Sequence, residues 1–410
     1  MRKLISAVIV LTLAAAMPLA WAAEEEKGDD EAKLLKQRCP RPSEFAIVFS
    51  FGYAGDHMPK DDAKFDELLG KIKEGGFNTI HCTYTDKRLQ LAEKHGVKMM
   101  LDYLAGEHHV YKSVDAAKAL AEKLRGKSAI WGYNIWNDRF GKMGAGRVRD
   151  ILNVRRWDPT HPAFIGTYKA DGMNYLVNSD TFGYYDYHWK RGPHRHFRHL
   201  LAFSAGARQN NSYVYRWVES VPGLPGKGNP NRALYTANTS IACGLKGMLY
   251  FLALDLMDRN TLEWTQAGKD IISVNKQIIP LAAEIMKIGN PSAIYSTPIT
   301  KDMNNNPVGE GKDVMPAGLE NNKFPADFWI QPAGGEFVMG VFKDDDGRDA
   351  IFVANNNAYA EQDVKLKLAK PAKCSIFDRK EGKFRPLEVK DGAIAFKLSP
   401  GGGELIRFEK

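Results

Sequence analysis

Two segments of the chain end in a carboxylate after an aromatic-rich apolar run: Trp136-Asn137-Asp138 and Trp217-Val218-Glu219, with the two acids 81 residues apart. Two carboxyl groups facing one another across a cleft can split an acetal. One gives a proton to the leaving oxygen, and the other attacks the anomeric carbon or activates a water. That chemistry requires both runs to end at the same mouth, so the elements carrying them decide whether it is available.

The run before each acid belongs to a long alternation. Strands are predicted over Phe45–Phe51, Phe77–Tyr84, Val97–Leu104, Ala129–Trp136, Ala163–Tyr168, Thr181–Trp189, Tyr213–Trp217 and Lys246–Leu254. Their apolar and β-branched content and their bounding turn residues carry this reading. Helical spacing falls between them, over Phe65–Lys73, Asp86–Lys94, Ser113 (as N-cap) to Leu124, Arg147–Arg156, Met173–Val177, Phe197–Gly206 and Asn231–Cys243. A long helix over Gln266–Lys287, expected to kink at Pro280, closes the series. Strands alternating with helices imply a parallel sheet with right-handed crossovers. Eight such units in about 250 residues favour an α/β fold of the (β/α)8 TIM-barrel type over residues 44–290. No glycine-rich phosphate loop follows the first strand, which disfavours an open dinucleotide-binding sheet. Residues 291–332, rich in Asn, Pro, Gly and Lys, read as a linker or loop. Short alternating runs at 336–342, 349–354, 363–368, 393–398 and 404–408 predict a small all-β sandwich over 333–410.

In such a barrel the working residues sit at the C-terminal strand ends. Read in order, those ends offer Tyr53, Asp56 and His57; His81 and Tyr84; Asp102 and Tyr103, then Glu107-His108-His109; Asn137 and Asp138; Tyr168 and Lys169; Asp186, Tyr187, His188 and Trp189; Arg216, Trp217 and Glu219; and Asp255. A rim this rich in rings and hydrogen-bonding groups suits sugars, whose C–H faces lie on aromatic rings and whose hydroxyls pair with fixed polar groups. Tyr53, Asp56, His57, Asn137, Tyr187, His188, Trp189, Arg191, Arg216 and Trp217 are the expected substrate-binding set.

The chain has 410 residues and a net charge of +8, with ordinary hydrophobic (44%) and charged (26%) content, so a large core can form. Part of the positive excess lies in the aromatic-studded stretch His188 to His199. Such a patch fits a polyanion. Export makes an acidic polysaccharide the expected partner in preference to nucleic acid. Export itself is read from residues 1–22: Arg2-Lys3, an apolar run from Leu4 to Ala20, and the small-x-small site Ala20-Trp21-Ala22, followed by a polar lead over 23–43. A secreted or periplasmic location is expected, with no stable membrane insertion once that segment is cleaved. The four cysteines, Cys39, Cys82, Cys243 and Cys374, match no metal motif, and no cofactor is expected. A metal-dependent hydrolase using His57, His81, His108, His109 and His188 is the reading from another class.

The layout resembles the retaining glycoside hydrolases of clan A, whose acid/base ends strand four and whose nucleophile is a Glu ending strand seven. Trp131-Gly132-Tyr133-Asn134-Ile135-Trp136-Asn137-Asp138-Arg139 is similar to the Gly-Tyr-…-Asp-Glu-Pro segment of related barrel proteins. Asp158-Pro159-Thr160-His161-Pro162 matches the Asp-Pro-x-His-Pro stretch that often follows it. The resemblance covers about residues 44–410 and implies catalysis by Asp138 as acid/base and Glu219 as nucleophile. Asn137 would then bond a ring hydroxyl, and Tyr187 would orient Glu219. The clan's acid/base is normally Glu; here Asp is shorter by one methylene, about 1.5 Å. A retaining pair stands about 5 to 5.5 Å apart and an inverting pair about 6.5 to 9.5 Å apart, so the shorter side chain bears on stereochemistry. A non-catalytic, carbohydrate-binding relative on the same fold is the alternative.

Overall fold

Eight short apolar runs close into a parallel barrel in sequence order, with β1 (Ala46–Ser50) hydrogen-bonded to both β2 (Thr79–Cys82) and β8 (Leu245–Phe251). Between them lie β3 (Lys98–Asp102), β4 (Ile130–Trp136), β5 (Ala163–Thr167), β6 (Thr181–Tyr185) and β7 (Tyr213–Glu219). The computed structural model describes residues 42–51, 58–102, 114–136, 144–167, 181–185, 194–219, 229–251, 253–309, 314–370 and 372–409. The expected leader at 1–22, most of the polar lead and the expected helix at 173–177 lie outside these.

Each strand is buried on both faces, as a parallel sheet under helices requires. Alternate residues sort the faces. Ala46, Val48, Met100, Trp131, Phe164, Tyr215, Trp217 and Leu249 pack together inside the barrel. Ile47, Phe49, Met99, Leu101 and Val214 pack outward in the larger core shared with the helices.

Those helices are α1 (Asp62–Glu74), α2 (Asp86–His95), α3 (Val114–Leu124), α4 (Gly144–Trp157), α5 (His194–Asn210), α6 (Pro230–Ala242) and α7 (Gln266–Lys287). Their starts follow local chemistry. Asp61, Thr85, Asn229 and Thr265 each cap a helix by accepting from a backbone N–H of the first turn, and Pro230 follows Asn229 at the first helical position. Gly96 ends α2 with φ of 61°, the left-handed conformation that releases the chain toward β3. Helix α7 keeps the expected bounds and carries Pro280 inside it.

The C-terminal part is built from two antiparallel sheets, one ordered β10-β13-β16 and the other β15-β14-β17-β12-β11-β9. The strands are β9 (Ala293–Ser296), β10 (Ile330–Gly334), β11 (Phe337–Lys343), β12 (Asp349–Asn355), β13 (Gln362–Leu368), β14 (Cys374–Asp378), β15 (Lys383–Leu387), β16 (Ala393–Leu398) and β17 (Gly403–Phe408). Ile330, Phe337, Met339, Ile351, Val364, Leu366 and Ile394 fill the space between the sheets.

The expected linker at 291–332 is corrected here, because β9 and the first three residues of β10 fall inside it and pair with β11 and β13. Strand β9 has only four residues, and β10 contains Pro332 with a register shift before Gly334, so neither shows a strand-like alternation. Strands β14 and β15 also exceed the expected set; β15 is an edge strand that tolerates Pro386. Among the described residues no helix is long and apolar enough to cross a membrane.

Candidate active site at the barrel mouth

The inner face of the barrel changes character one layer below its C-terminal rim. Continuing the inward alternation, Ser50 follows Val48 on β1, Asp102 follows Met100 on β3 and Trp217 follows Tyr215 on β7. His81 lies on β2 between the outward-packed Ile80 and Cys82. On β4 a register shift intervenes, and Asn134 takes the inward place between the outward-packed Tyr133 and Ile135. Apolar side chains would fill this layer more cheaply, since each buried polar group must find a partner.

The partners are found within the layer. The His81 Nε2 lies 2.5 Å from Asp102 Oδ1, and Asn134 Nδ2 donates to the same oxygen at 2.8 Å. The other ring nitrogen, His81 Nδ1, is 3.0 Å from Ser50 Oγ. In the tautomer whose Nε2–H donates to the carboxylate, Nδ1 accepts from the serine hydroxyl. The Trp217 ring meets His81 at 6.0 Å and 73°, edge to face. Ser50, His81 and Asn134 are buried, whereas the Asp102 side chain keeps 18% of its surface. Asn134 Oδ1 is buried and accepts no hydrogen bond within the protein. The arrangement therefore presents one anchored carboxylate and one unpaired acceptor at the top of β3 and β4.

Glu219 is the final residue of β7, in register with Phe251 of β8. Strand β4 ends at Trp136, two residues before Asp138. Asp138, Asn137, Tyr53, Asp56, His57, Tyr187, His188, Trp189 and Arg191 lie outside the described residues.

Two members of the expected sugar-binding set are corrected. Arg216 points outward from β7, buried between strand and helices, where its NH1 donates to Ser240 Oγ of α6 at 2.8 Å and meets His196 Nδ1 of α5 at 3.1 Å. Its guanidinium carbon also lies 5.4 Å from the Tyr184 ring centroid. Strand alternation explains this: a residue adjacent to an inward Trp217 must face the helices. Trp217 is fully buried against His81 and Phe164, so it forms the floor of the mouth and offers no open face for stacking.

Ser50 and Asn134 are the residues that sequence reasoning missed. Their signal was a polar side chain on the inward parity of an otherwise apolar strand. Among the described residues no three His, Cys, Asp or Glu side chains gather to hold a metal ion.

The Asp158-Pro159-Thr160-His161-Pro162 stretch lies at the opposite end of the barrel, where α4 turns into β5. Asp158 Oδ2 accepts from Tyr133 Oη and His161 Nδ1, both at 2.7 Å, and Oδ1 accepts from the Thr160 backbone N–H at 3.0 Å and its hydroxyl at 2.5 Å. Burial alone would push the Asp158 carboxyl up, but the bonds from His161, Thr160 and Tyr133 outweigh it and hold it below the usual carboxylate value.

No family model matches the chain. No curated protein matches it either. Solved structures do resemble it. An Anoxybacillus alpha-amylase superposes with a TM-score of 0.54 at 13% identity, covering 90% of this chain and 98% of that one. A GH27 β-L-arabinopyranosidase from Geobacillus stearothermophilus gives a TM-score of 0.50 at 8% identity, covering 92% and 98%. At such identities the likeness concerns architecture alone. A closed eight-stranded parallel barrel, a C-terminal pair of antiparallel sheets and these structural neighbours together give the chain the fold of the TIM-barrel glycoside hydrolases.

Proposed function

We propose that the protein hydrolyses O-glycosidic bonds of an oligo- or polysaccharide, with Glu219 as nucleophile and Asp138 as acid/base. The observation that supports this reading is the position of Glu219 as the last residue of β7, at the C-terminal end of a barrel strand. In sequence Asp138 follows the end of β4 by two residues; the top of β3 and β4 carries the hydrogen-bonding groups of Asp102 and Asn134. In the first step Asp138 gives its proton to the leaving oxygen while Glu219 bonds the anomeric carbon. In the second, Asp138 takes a proton from the water that releases the sugar. Asn137 and Tyr187 keep the positioning roles assigned above. Export by the leader is part of the proposal, as is an acidic polymer whose charged units meet the basic stretch 188–199.

The test is glycoside release from a panel of neutral and acidic glycans by the purified full chain. Glu219→Gln and Asp138→Asn are each expected to lower turnover about a hundredfold or more while sugar binding persists. Unchanged turnover in both variants overturns the assignment. Binding without any hydrolysis by the wild type leaves a carbohydrate-binding protein on the same fold.

A further inference from the structure

The sheet that carries β14, β15 and β17 turns one face to the barrel helices, where Ala350, Phe377 and Leu405 pack into the shared core. Helix α7 covers only part of that face. Arg379 reaches the Gln277 carbonyl, Arg407 pairs with Glu284 two turns further along, and α7 stops at Lys287. Past that point Pro386, Ser375 and Arg407 stand in register across three strands, and the surface opens into a cleft of about 680 Å³. We infer that this cleft is a second polysaccharide-binding site, which takes an acidic stretch of the chain with a carboxylate or sulfate on its cations and a sugar ring on β15. That the ligand is a glycan rests on the glycosidase reading; the charge and the place of the site do not.

The first observation is the lining. Arg348, Lys373, Arg385 and Arg407 border the cleft, with Glu409 as the acid among the described lining residues. Arginine stays protonated at any working pH and has no acceptor of its own. Two of the arginines are fixed from behind. Asp344, 1% exposed, lies 2.8 Å from Arg348 Nε and 3.2 Å from Arg407 Nε, and Glu284 meets Arg407 at 2.5 Å. Asp346, itself exposed, holds one further nitrogen of Arg348 at 2.5 Å. These acids offset much of the two charges but also set the direction of the guanidinium planes. The other two cations supply the excess. Lys373 is exposed and makes no ion pair among the described residues, and Arg385, 59% exposed, keeps a 3.4 Å contact from Nε to Asp378. Planar N–H groups in fixed positions suit carboxylate and sulfate oxygens.

The second observation is the apolar strip beside the cations. Phe384 and Pro386 share the cleft's face of β15, since they pair with Phe377 and Ser375. The Arg407 guanidinium lies 4.2 Å from the Phe384 ring centroid, and Pro386 is exposed on the edge strand. A ring that carries an acid group uses both surfaces, its C–H face on the strip and its anion on the cations. A small inorganic anion would use only the second, and a neutral sugar would leave the cations to water. The third observation is the place. Helix α7 leaves β8 on the mouth side and runs to the opposite end, so a cleft beside Glu284 is no subsite of the mouth. It holds the polymer and does not cut it.

The experiment measures binding of hexagalacturonate, a chondroitin sulfate hexasaccharide and neutral cellohexaose to the full chain by calorimetry, in the wild type and in Glu219→Gln, which spares the probes. Hydrogen exchange read by mass spectrometry locates the contact. At least one acidic probe is expected to bind at least about tenfold more tightly than cellohexaose, and to slow exchange in peptides covering 372–376 and 383–389. The tighter acidic probe assigns carboxylate or sulfate. Lys373→Ala combined with Arg385→Ala is expected to weaken that binding about tenfold and to remove the slowing. Lys365→Ala combined with Lys367→Ala takes the same charge from exposed positions of the other sheet and is expected to change neither. Cellohexaose bound as tightly as both acidic probes overturns the inference, as does the absence of slowing in those peptides; neither comparison needs a variant to fold. Equal losses in the two double variants overturn it too, because attraction to net charge alone would give them. A single-stranded oligonucleotide bound more tightly than either glycan, with the same slowing, overturns the sugar assignment. The glycosidase reading fails separately: release from small methyl glycosides does not involve the cleft, so it can be absent while the acidic probes bind there, or present while they do not.

Discussion

Replacing Asp158 by Asn tests whether the Asp-Pro-x-His-Pro stretch is a structural clasp. The carboxylate is completely buried and accepts four hydrogen bonds, two on each oxygen. The amide that replaces it presents an NH2 group in place of one oxygen, whichever way it turns, so two donors lose their acceptor. The Tyr133 and Thr160 hydroxyls can rotate and accept instead. The His161 ring is less free, because its Nε2 is committed to the Lys127 carbonyl at 3.0 Å. With hydrogen bonds to a charged group worth about 1.5 to 3 kcal/mol each, and part recovered by rotation, the expected loss is about 3 kcal/mol. Taking a urea slope of about 3 kcal/mol/M, the unfolding midpoint falls by about 1 M. The sign with pH follows from a carboxyl held below its usual value. Its contribution is fully present above the unfolded value and is lost as pH falls through the lower folded one. The gap between wild type and variant is therefore expected to stay constant at neutral pH and to close below about pH 4. Sugar binding per folded molecule is expected to be unchanged, since the clasp is a barrel length away from the mouth. A midpoint within about 0.2 M of the wild type, or a variant that folds normally and loses sugar binding, would refute the reasoning.

Other outcomes follow from single sites. Gly183→Ala is expected to destabilise by about 1 to 3 kcal/mol in urea unfolding, because a Cβ there would stand 2.3 Å from Phe164 Cζ in a ring-packed barrel interior; a neutral effect would mean that Phe164 can move. Cys82 and Cys243 are expected to resist a thiol reagent in the native protein at pH 8, since burial pushes both thiols up to about 12; mass spectrometry that finds either labelled before unfolding contradicts this. Arg407→Ala is expected to cost about 2 kcal/mol or more, because Arg407 binds Glu284 of α7 at 2.5 Å and approaches Asp344 at 3.2 Å in a partly buried cluster; no midpoint shift would show these pairs to be solvent-screened.

The barrel was legible in the chain because parallel strands buried on both faces write themselves as continuous apolar runs. FAIVFSF contains all of β1, and the helix expected over Gln266–Lys287 has those bounds. Glu219 was legible as the end of such a run. Arg216 and Trp217 were misread because the text of a strand shows that a residue is near the rim but not which face it takes; parity had to be counted from Tyr213 inward. Ser50 and Asn134 were hidden by the same habit, being polar residues inside apolar runs whose meaning depends on three neighbouring strands at once. The Asp158 stretch was noticed for its likeness to glycosidase sequences, yet the bonds it makes are those of a corner. Strands β9 and β10 escaped notice because four residues, or a proline with a register shift, leave no period to detect.

Helix α6 has a consequence beyond its own packing. Its residues Ala233 to Ala242 are all buried, ten in succession, so it has no wet face. One side lies on the barrel, where Ser240 meets Arg216. The other is held by the C-terminal sheets: Asn238 donates to the Gly401 carbonyl at 2.9 Å, and a side chain at position 340 would collide with the Ala242 carbonyl. A wall of the barrel is thus completed only by strands that come last in the chain. Such a protein cannot be shortened to its barrel, and its C-terminal part cannot be exchanged for a foreign module without rewriting α6. The barrel wall at α6 is therefore closed to water only when the last strands of the chain are in place.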